Sequence, residues 1–321
     1  MEQNLTIVMY HYVRDLAKSR YPQIKGLDLN LFREQLRFFQ SRYNVVSCAQ
    51  VLDALAGGAL PENSLLLTFD DGYIDHYTNV FPLLKQYGMA GFFSMPGKIL
   101  EEQRLLDVNK IHFILAAKDV NALLPMVFER LDHYRGLEYP IPDNHVLYEK
   151  LAVGSRFDTP EVIFVKRLLQ VELEESLRNR IVDDLFAACI GLDEDMFAKE
   201  LYMSMDQVRF MKREGMEWGI HGYEHYWMNR LSDQALREDI GNALDVFSGV
   251  VDRQGWLCCY PYGSHSPEVI RTAKEMGAVG GFSTRVAIAR LGEEERFVLP
   301  RLDTNDFPPK SDRYLEVIAG V

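Results

Sequence analysis

Ser64-Leu65-Leu66-Leu67-Thr68-Phe69-Asp70-Asp71-Gly72-Tyr73 runs from an apolar stretch straight into two carboxylates and a glycine. An uninterrupted apolar run of this length reads as a strand covered on both faces, as in a parallel sheet packed between helices. The aspartates then stand where the strand ends, and parallel α/β barrels gather their catalytic groups at such ends. Adjacent carboxylates repel, and burial penalises both unless a cation compensates; a metal ion would resolve the conflict. An Asp-Asp-Gly turn with an N-capping aspartate is the other reading of the same residues.

Working outward, similar runs recur at Leu5 to Tyr10, Ala90 to Ser94, Glu217 to Ile220, Leu257 to Tyr260, Val279 to Ser283 and Val298 to Arg301. Amphipathic helices are expected between them at Leu31 to Tyr43, Asn79 to Tyr87, Asp206 to Glu214, Ser232 to Ser248 and Ser266 to Met276. Strands alternating with helices predict an α/β fold with parallel strands. Ser232 and Ser266 are expected N-caps, the second followed by Pro267 at the first helical position. From about Pro96 to Ser204 the rhythm changes to helices alone, at Asn109 to Ala117, Ala122 to Tyr134, Glu161 to Leu169 and Glu174 to Ala188. Residues 1–95 and 205–321 are therefore expected to form the barrel, and 96–204 a helical insertion, either a separate domain or a lobe or lid at the barrel mouth.

With 321 residues, 47% of them hydrophobic, the chain is long enough for a substantial core, which excludes disordered and fibrous classes. Lys and Arg number 35 against 47 Asp and Glu, a formal net charge of -12. That balance opposes nucleic acid and anionic membrane as partners. No apolar run approaches the roughly 20 residues of a spanning helix, and the N-terminal MEQNLTIVMYHYVRD does not read as a secretory signal. The expectation is a cytoplasmic protein of undefined oligomeric state. Cys48, Cys189, Cys258 and Cys259 lack zinc-finger or C-x-x-C spacing and read as reduced, buried thiols.

Polar residues fall at the ends of four of these strands: His11, Asp70 with Asp71, His221, and Pro261-Tyr262-Gly263. His221-Gly222-Tyr223-Glu224-His225 places two imidazoles four residues apart, on one face if the turn is helical and then close enough to share a divalent ion. Two surface histidines opening a helix would have the same spacing. His76, His112 and His145 read as structural or surface histidines, and His265 as a reserve candidate near the rim.

Together, Thr68-Phe69-Asp70-Asp71-Gly72 and the later H-x-x-x-H resemble the polysaccharide deacetylase family, the NodB-homology group of family-four carbohydrate esterases. The likeness covers roughly Leu5 to Phe93 and Val208 to Arg301. It implies a distorted (β/α) barrel, with Asp71, His221 and His225 as metal ligands and Asp70 as catalytic base. The family's H-[S/T]-x-x-H carries Gly222 in its second place, which alters the loop's support more than its coordination. Its R-x-P-[F/Y] motif appears as Cys259-Tyr260-Pro261-Tyr262. Tyr262 is therefore expected to offer a backbone N–H to an oxyanion, while the arginine that orients the base is missing there. Arg301, after the last expected strand, is the candidate substitute; a structural or surface arginine is the alternative. The Leu-x-His of most members has no counterpart here, because no histidine follows His265. Met9-Tyr10-His11-Tyr12-Val13 instead resembles the Y-H-x-V of the poly-N-acetylglucosamine deacetylase branch, and this implies His11 as the general acid.

What the resemblance implies is a metal-dependent hydrolase releasing an acetyl or formyl group from an amino sugar or glycan intermediate, in surface-polysaccharide or lipopolysaccharide biosynthesis. Zinc is the ion expected, and cobalt, nickel, manganese or iron would suit the same ligands. No organic cofactor is expected. An O-deacetylase or cyclic-amide hydrolase would use the same groups, and a non-catalytic carbohydrate-binding protein could keep the fold. A phosphatase or nuclease is opposed by the acidic balance and by the lack of a phosphate-cradling glycine-rich loop.

Overall fold

A computed structural model describes residues 3–136, 139–155, 158–291 and 296–320. They divide into two compact units: residues 1–15, 26–104 and 198–321 form the first, and 16–25 with 105–197 the second. The first unit is a mixed sheet flanked by helices. Its parallel strands include β1 (Asn4–Tyr10), β2 (Ser64–Phe69), β3 (Phe92–Met95), β4 (Glu217–Ile220), β5 (Trp256–Cys259), β6 (Ala278–Phe282) and β7 (Leu302–Asp303). Each of the first five pairs with the next, so the C-terminal ends of the first six share one rim. Register fixes the rim: Tyr10 lies opposite Phe69, which places His11 and Asp70 side by side just past the two strands.

Residues after β6 complete the circuit. Ser283 N–H donates to the Leu299 carbonyl oxygen, and Leu299 N–H donates to that of Gly281, at 2.9 Å each. Three residues later β7 pairs in parallel with β1, Leu302 opposite Val8. The strand expected at Val298 to Arg301 is thus two short pairings with different neighbours, at Leu299 and at Leu302–Asp303. Arg301 lies between them and is buried. Ala289–Arg290 adds the antiparallel partner at the start of β1.

Ile7, Leu66, Phe92, Leu257, Cys259, Phe282 and Leu299 form the interior of this sheet. Gly219 on β4 has no room for a side chain there, since a Cβ would meet Phe92 Cζ at 2.4 Å and the Leu257 carbonyl oxygen at 2.5 Å. A helix that the sequence pattern did not announce, Cys48–Leu55, adds Cys48, Val51 and Ala54 to the same cluster. It is only eight residues long, and its start is set by a Ser47–Gln50 capping box. The Glu217 carboxylate also accepts from the N–H groups of Cys48 and Ala49.

The second unit contains the helices Asp107–Ala117, Val120–Tyr134, Asn144–Leu151, Pro160–Arg167 and Glu175–Ile190. Ile111, Ile114, Leu123, Val127, Ile181 and Leu185 supply its own core. Residues 16–25 group with these helices because Tyr21 packs edge-on against Phe113, ring centroids 5.2 Å apart, and Lys25 pairs with Asp158. Residues 96–104 and 198–204, by contrast, group with the barrel.

Candidate active site

Asp71 Oδ1 is 3.3 Å from His221 Nε2 and 3.5 Å from His225 Nε2, and the three buried donor atoms lie within 4.8 Å of one another. Their other polar atoms are partly engaged. Tyr73 donates its hydroxyl to Asp71 Oδ2 at 2.6 Å, and His221 Nδ1 donates to the Cys259 carbonyl oxygen at 2.6 Å. Asp71 Oδ1 itself is buried with no hydrogen-bond partner. A carboxylate oxygen left so, facing two imidazole nitrogens, fits a divalent cation, and the outer partners fix which atoms face it.

The histidines do not converge through a helical turn, as their spacing had suggested. Residues 221–225 form a loop in which Gly222 has φ +69° and His225 φ +62°. The N–H groups of Gly97 and Lys98 donate to the carbonyls of Gly222 and Tyr223, at 3.1 Å each. Asp71 and Tyr262 are left-handed too, at φ +75° and +58°. Three of the five non-glycine residues with positive φ among the described residues therefore sit at this site. Each such conformation costs on the order of 1 kcal/mol or more and persists only where its surroundings enforce it, the pattern expected where geometry serves chemistry.

Asp70 is held separately. Arg301 Nη1 reaches its Oδ2 at 2.8 Å, and Ser94 donates its hydroxyl to Oδ1 at 2.8 Å. The guanidinium also donates to the Ser283 carbonyl oxygen and the Thr68 hydroxyl, at 3.1 and 3.2 Å, and lies 3.9 Å from the Cys259 sulfur. Cysteine at 259 thus leaves space that a guanidinium from the neighbouring segment fills. The two adjacent aspartates are compensated by different groups: Arg301 for Asp70, the histidine pair for Asp71. Burial pushes both carboxyls up, but the guanidinium and then His221 and His11 hold Asp70 below the ordinary range. The imidazoles of His221 and His225, which face its Oδ1, take Asp71 well below it.

Among the other expected residues, His11 follows β1 and lies near enough to both aspartates to interact with them electrostatically. Tyr262 packs edge-on against His225, centroids 4.8 Å apart, and stacks on Trp227 at 4.7 Å and 7°. His265 is exposed, with Nδ1 2.8 Å from the Gly263 carbonyl oxygen. Sequence reasoning missed Ser94, although a polar residue ending an apolar strand obeys the same rule that found Asp70. Tyr73 stood out only as an aromatic, and nothing in the pattern singled out Asp239.

His76 is fully buried, its Nε2 donating to the His11 carbonyl oxygen at 2.9 Å, and burial pushes the imidazole down from 6.5 to about 4. Between those values the unfolded chain binds a proton that the native one does not. Stability from this group is therefore complete above pH 6.5 and falls as pH drops towards 4. The stability difference between wild type and His76→Gln should narrow by roughly 3 kcal/mol from about pH 7 to about pH 4 in chelator-treated protein. Urea unfolding followed by tryptophan fluorescence measures it, since Trp218, Trp227 and Trp256 all lie in the first unit. A pH-independent difference would show that His76 titrates alike in both states.

The polysaccharide deacetylase family model matches residues 57–124 and 189–280, leaving out most of the helical unit and both His11 and Arg301. Over 82 residues the chain is 39% identical to the poly-β-1,6-N-acetyl-D-glucosamine N-deacetylase of Escherichia coli (strain K12), a stretch that is 25% of this chain and only 12% of that protein. The Streptococcus pyogenes deacetylase PplD, solved in complex with acetate, superposes with a TM-score of 0.60 at 16% identity, covering 99% of both chains. IcaB from Ammonifex degensii gives 0.56 at 18% identity, covering 99% of this chain and 96% of that one. At such identities the structural likeness speaks for the fold. No helix among the described residues is long and apolar enough to cross a membrane. With the motifs, the sheet and the family match in agreement, the chain belongs to the polysaccharide deacetylase family.

Proposed function

We propose that this protein is a metal-dependent hydrolase that removes an N-acyl group, acetyl or formyl, from an amino sugar. The observation that carries the proposal is the convergence of Asp71, His221 and His225 next to an Asp70 held by Arg301 and Ser94. Two imidazoles and one carboxylate leave positions open, as catalytic rather than structural sites do. A divalent ion bound there supplies Lewis acidity, polarising an acyl carbonyl and making a water molecule more acidic. We assign zinc, and the same donors accept cobalt, nickel, manganese or iron.

The chain's own residues account for the proton movements. Asp70, ionised at neutral pH, takes a proton from the attacking water as its oxygen bonds to the acyl carbon. The carbonyl oxygen gains charge, which the Tyr262 N–H stabilises by donation. The C–N bond then breaks, and the departing nitrogen takes a proton from His11. One amide and one water become a carboxylic acid and a free amine.

The test is a substrate panel incubated with purified protein and each divalent ion in turn, read by primary amine and by acetate or formate. The panel holds β-1,6-linked N-acetylglucosamine oligomers, suggested by the named Escherichia coli relative, and free, nucleotide-linked and lipid-linked acylamino sugars. The last two represent a cytoplasmic step of lipopolysaccharide or surface-glycan synthesis, which is part of the proposal. Acetate without amine would make the protein an O-deacetylase, and glycan binding without release a non-catalytic lectin.

For His11→Ala, kcat on an amide should fall by about 10²-fold or more. Hydrolysis of an activated aryl ester, whose leaving group needs no proton, should be nearly unchanged. Equal losses on both substrates would remove His11 from the acid role.

A further inference from the structure

The ligand loop lacks the hydroxyl residue of H-[S/T]-x-x-H, yet it is not left unsupported. Asp239, on the helix Asp233–Val246, is buried and accepts from the Glu224 N–H at 2.9 Å. Its other oxygen, Oδ2, lies 2.7 Å from where a Cβ on Gly222 would stand. Carbonyls on one side of this loop are held by Gly97 and Lys98, and the Glu224 N–H on the other by Asp239.

We infer that Asp239 is the positioning residue of the metal-ligand loop, its carboxylate doing the work of the motif hydroxyl and filling the space that a side chain at 222 would take. This rests on the metal reading proposed above. The physical case is one of cost. A buried carboxylate without a cation is expensive, and burial pushes Asp239 up to about 6. Oδ2 finds no hydrogen-bond partner. A helix needing only to pack here would be served better by leucine. What the carboxylate adds is an acceptor for the Glu224 N–H, directly before a His225 that must be held at φ +62°. Partners one step beyond the ligands commonly govern affinity for the ion by 10- to 100-fold.

The experiment titrates zinc into chelator-stripped full-length wild type, Asp239→Ala, Asp239→Asn and Gly222→Ala, using a competing chromophoric chelator, with the melting temperature of each metal-free protein measured alongside. Asp239→Ala should bind zinc about 10- to 100-fold more weakly. Asp239→Asn should recover most of that loss, because its amide oxygen still accepts from the loop. Gly222→Ala should weaken zinc by displacing the carboxylate, and it carries the test if Asp239→Ala does not fold. Wild-type affinity in a folded Asp239→Ala, or in Gly222→Ala, would overturn the inference. So would an Asp239→Asn as weak as the alanine variant with an unchanged melting temperature. A wild type that binds no zinc, cobalt, nickel, manganese or iron instead overturns the metal reading, and the inference with it.

Discussion

Asp70→Asn is expected to lower kcat by about 10²- to 10⁴-fold while zinc binding stays within a few-fold of wild type. Asparagine keeps an oxygen for Ser94 or Arg301 but cannot take up a proton at neutral pH. The two aspartates are neighbours in sequence and differ in partners: Asp70 meets a guanidinium and a hydroxyl, Asp71 meets two imidazoles and a phenol. Turnover with the released amine as readout, combined with zinc titration, separates their roles. Loss of zinc in Asp70→Asn with retention in Asp71→Asn would mean that the roles are reversed.

Arg301→Met should cost about 3–5 kcal/mol of stability, the usual consequence of leaving a buried carboxylate without its cation. Arg301 and Asp70 are each 1% exposed, so water cannot replace the lost guanidinium. The double variant Arg301→Met with Asp70→Asn should be more stable than Arg301→Met alone, because the stranded charge is gone. Urea unfolding at neutral pH, followed by tryptophan fluorescence, checks both. Equal stability of the single and double variants would show that the pair is not coupled. In activity, Arg301→Lys should fall well short of wild type, since a single ammonium cannot also reach the Ser283 carbonyl and the Thr68 hydroxyl as the planar guanidinium does.

Much of this was legible because parallel strands have a simple signature. Ser64–Phe69 and Glu217–Ile220 were readable to the residue, each a short largely apolar stretch followed at once by a polar site residue. The last strand was harder: Leu299 and Leu302 pair with different neighbours, and local patterning cannot encode a change of partner. The ligand loop was misread for a different reason. A spacing of four suggests a helical turn, but two residues at positive φ bring the imidazoles together by another route, and sequence periodicity is blind to φ. Ser94 and Asp239 show the two kinds of omission. The first obeyed a rule that was in use; the second lies within an amphipathic helix, where an acidic residue reads as solvated until packing shows that it is 6% exposed.

The closing segment, finally, has a consequence for biosynthesis. Asp70 is made early and Arg301 some 230 residues later, on the stretch that joins β6 to β1. During synthesis at roughly 5–20 residues per second the nascent chain therefore carries Asp70 without its counter-ion for about 10–50 seconds. A ribosome-stalled chain ending before Leu299 should expose the edges of β1 and β6 and be captured by holdase chaperones, whereas one extended past Asp303 and clear of the exit tunnel should not.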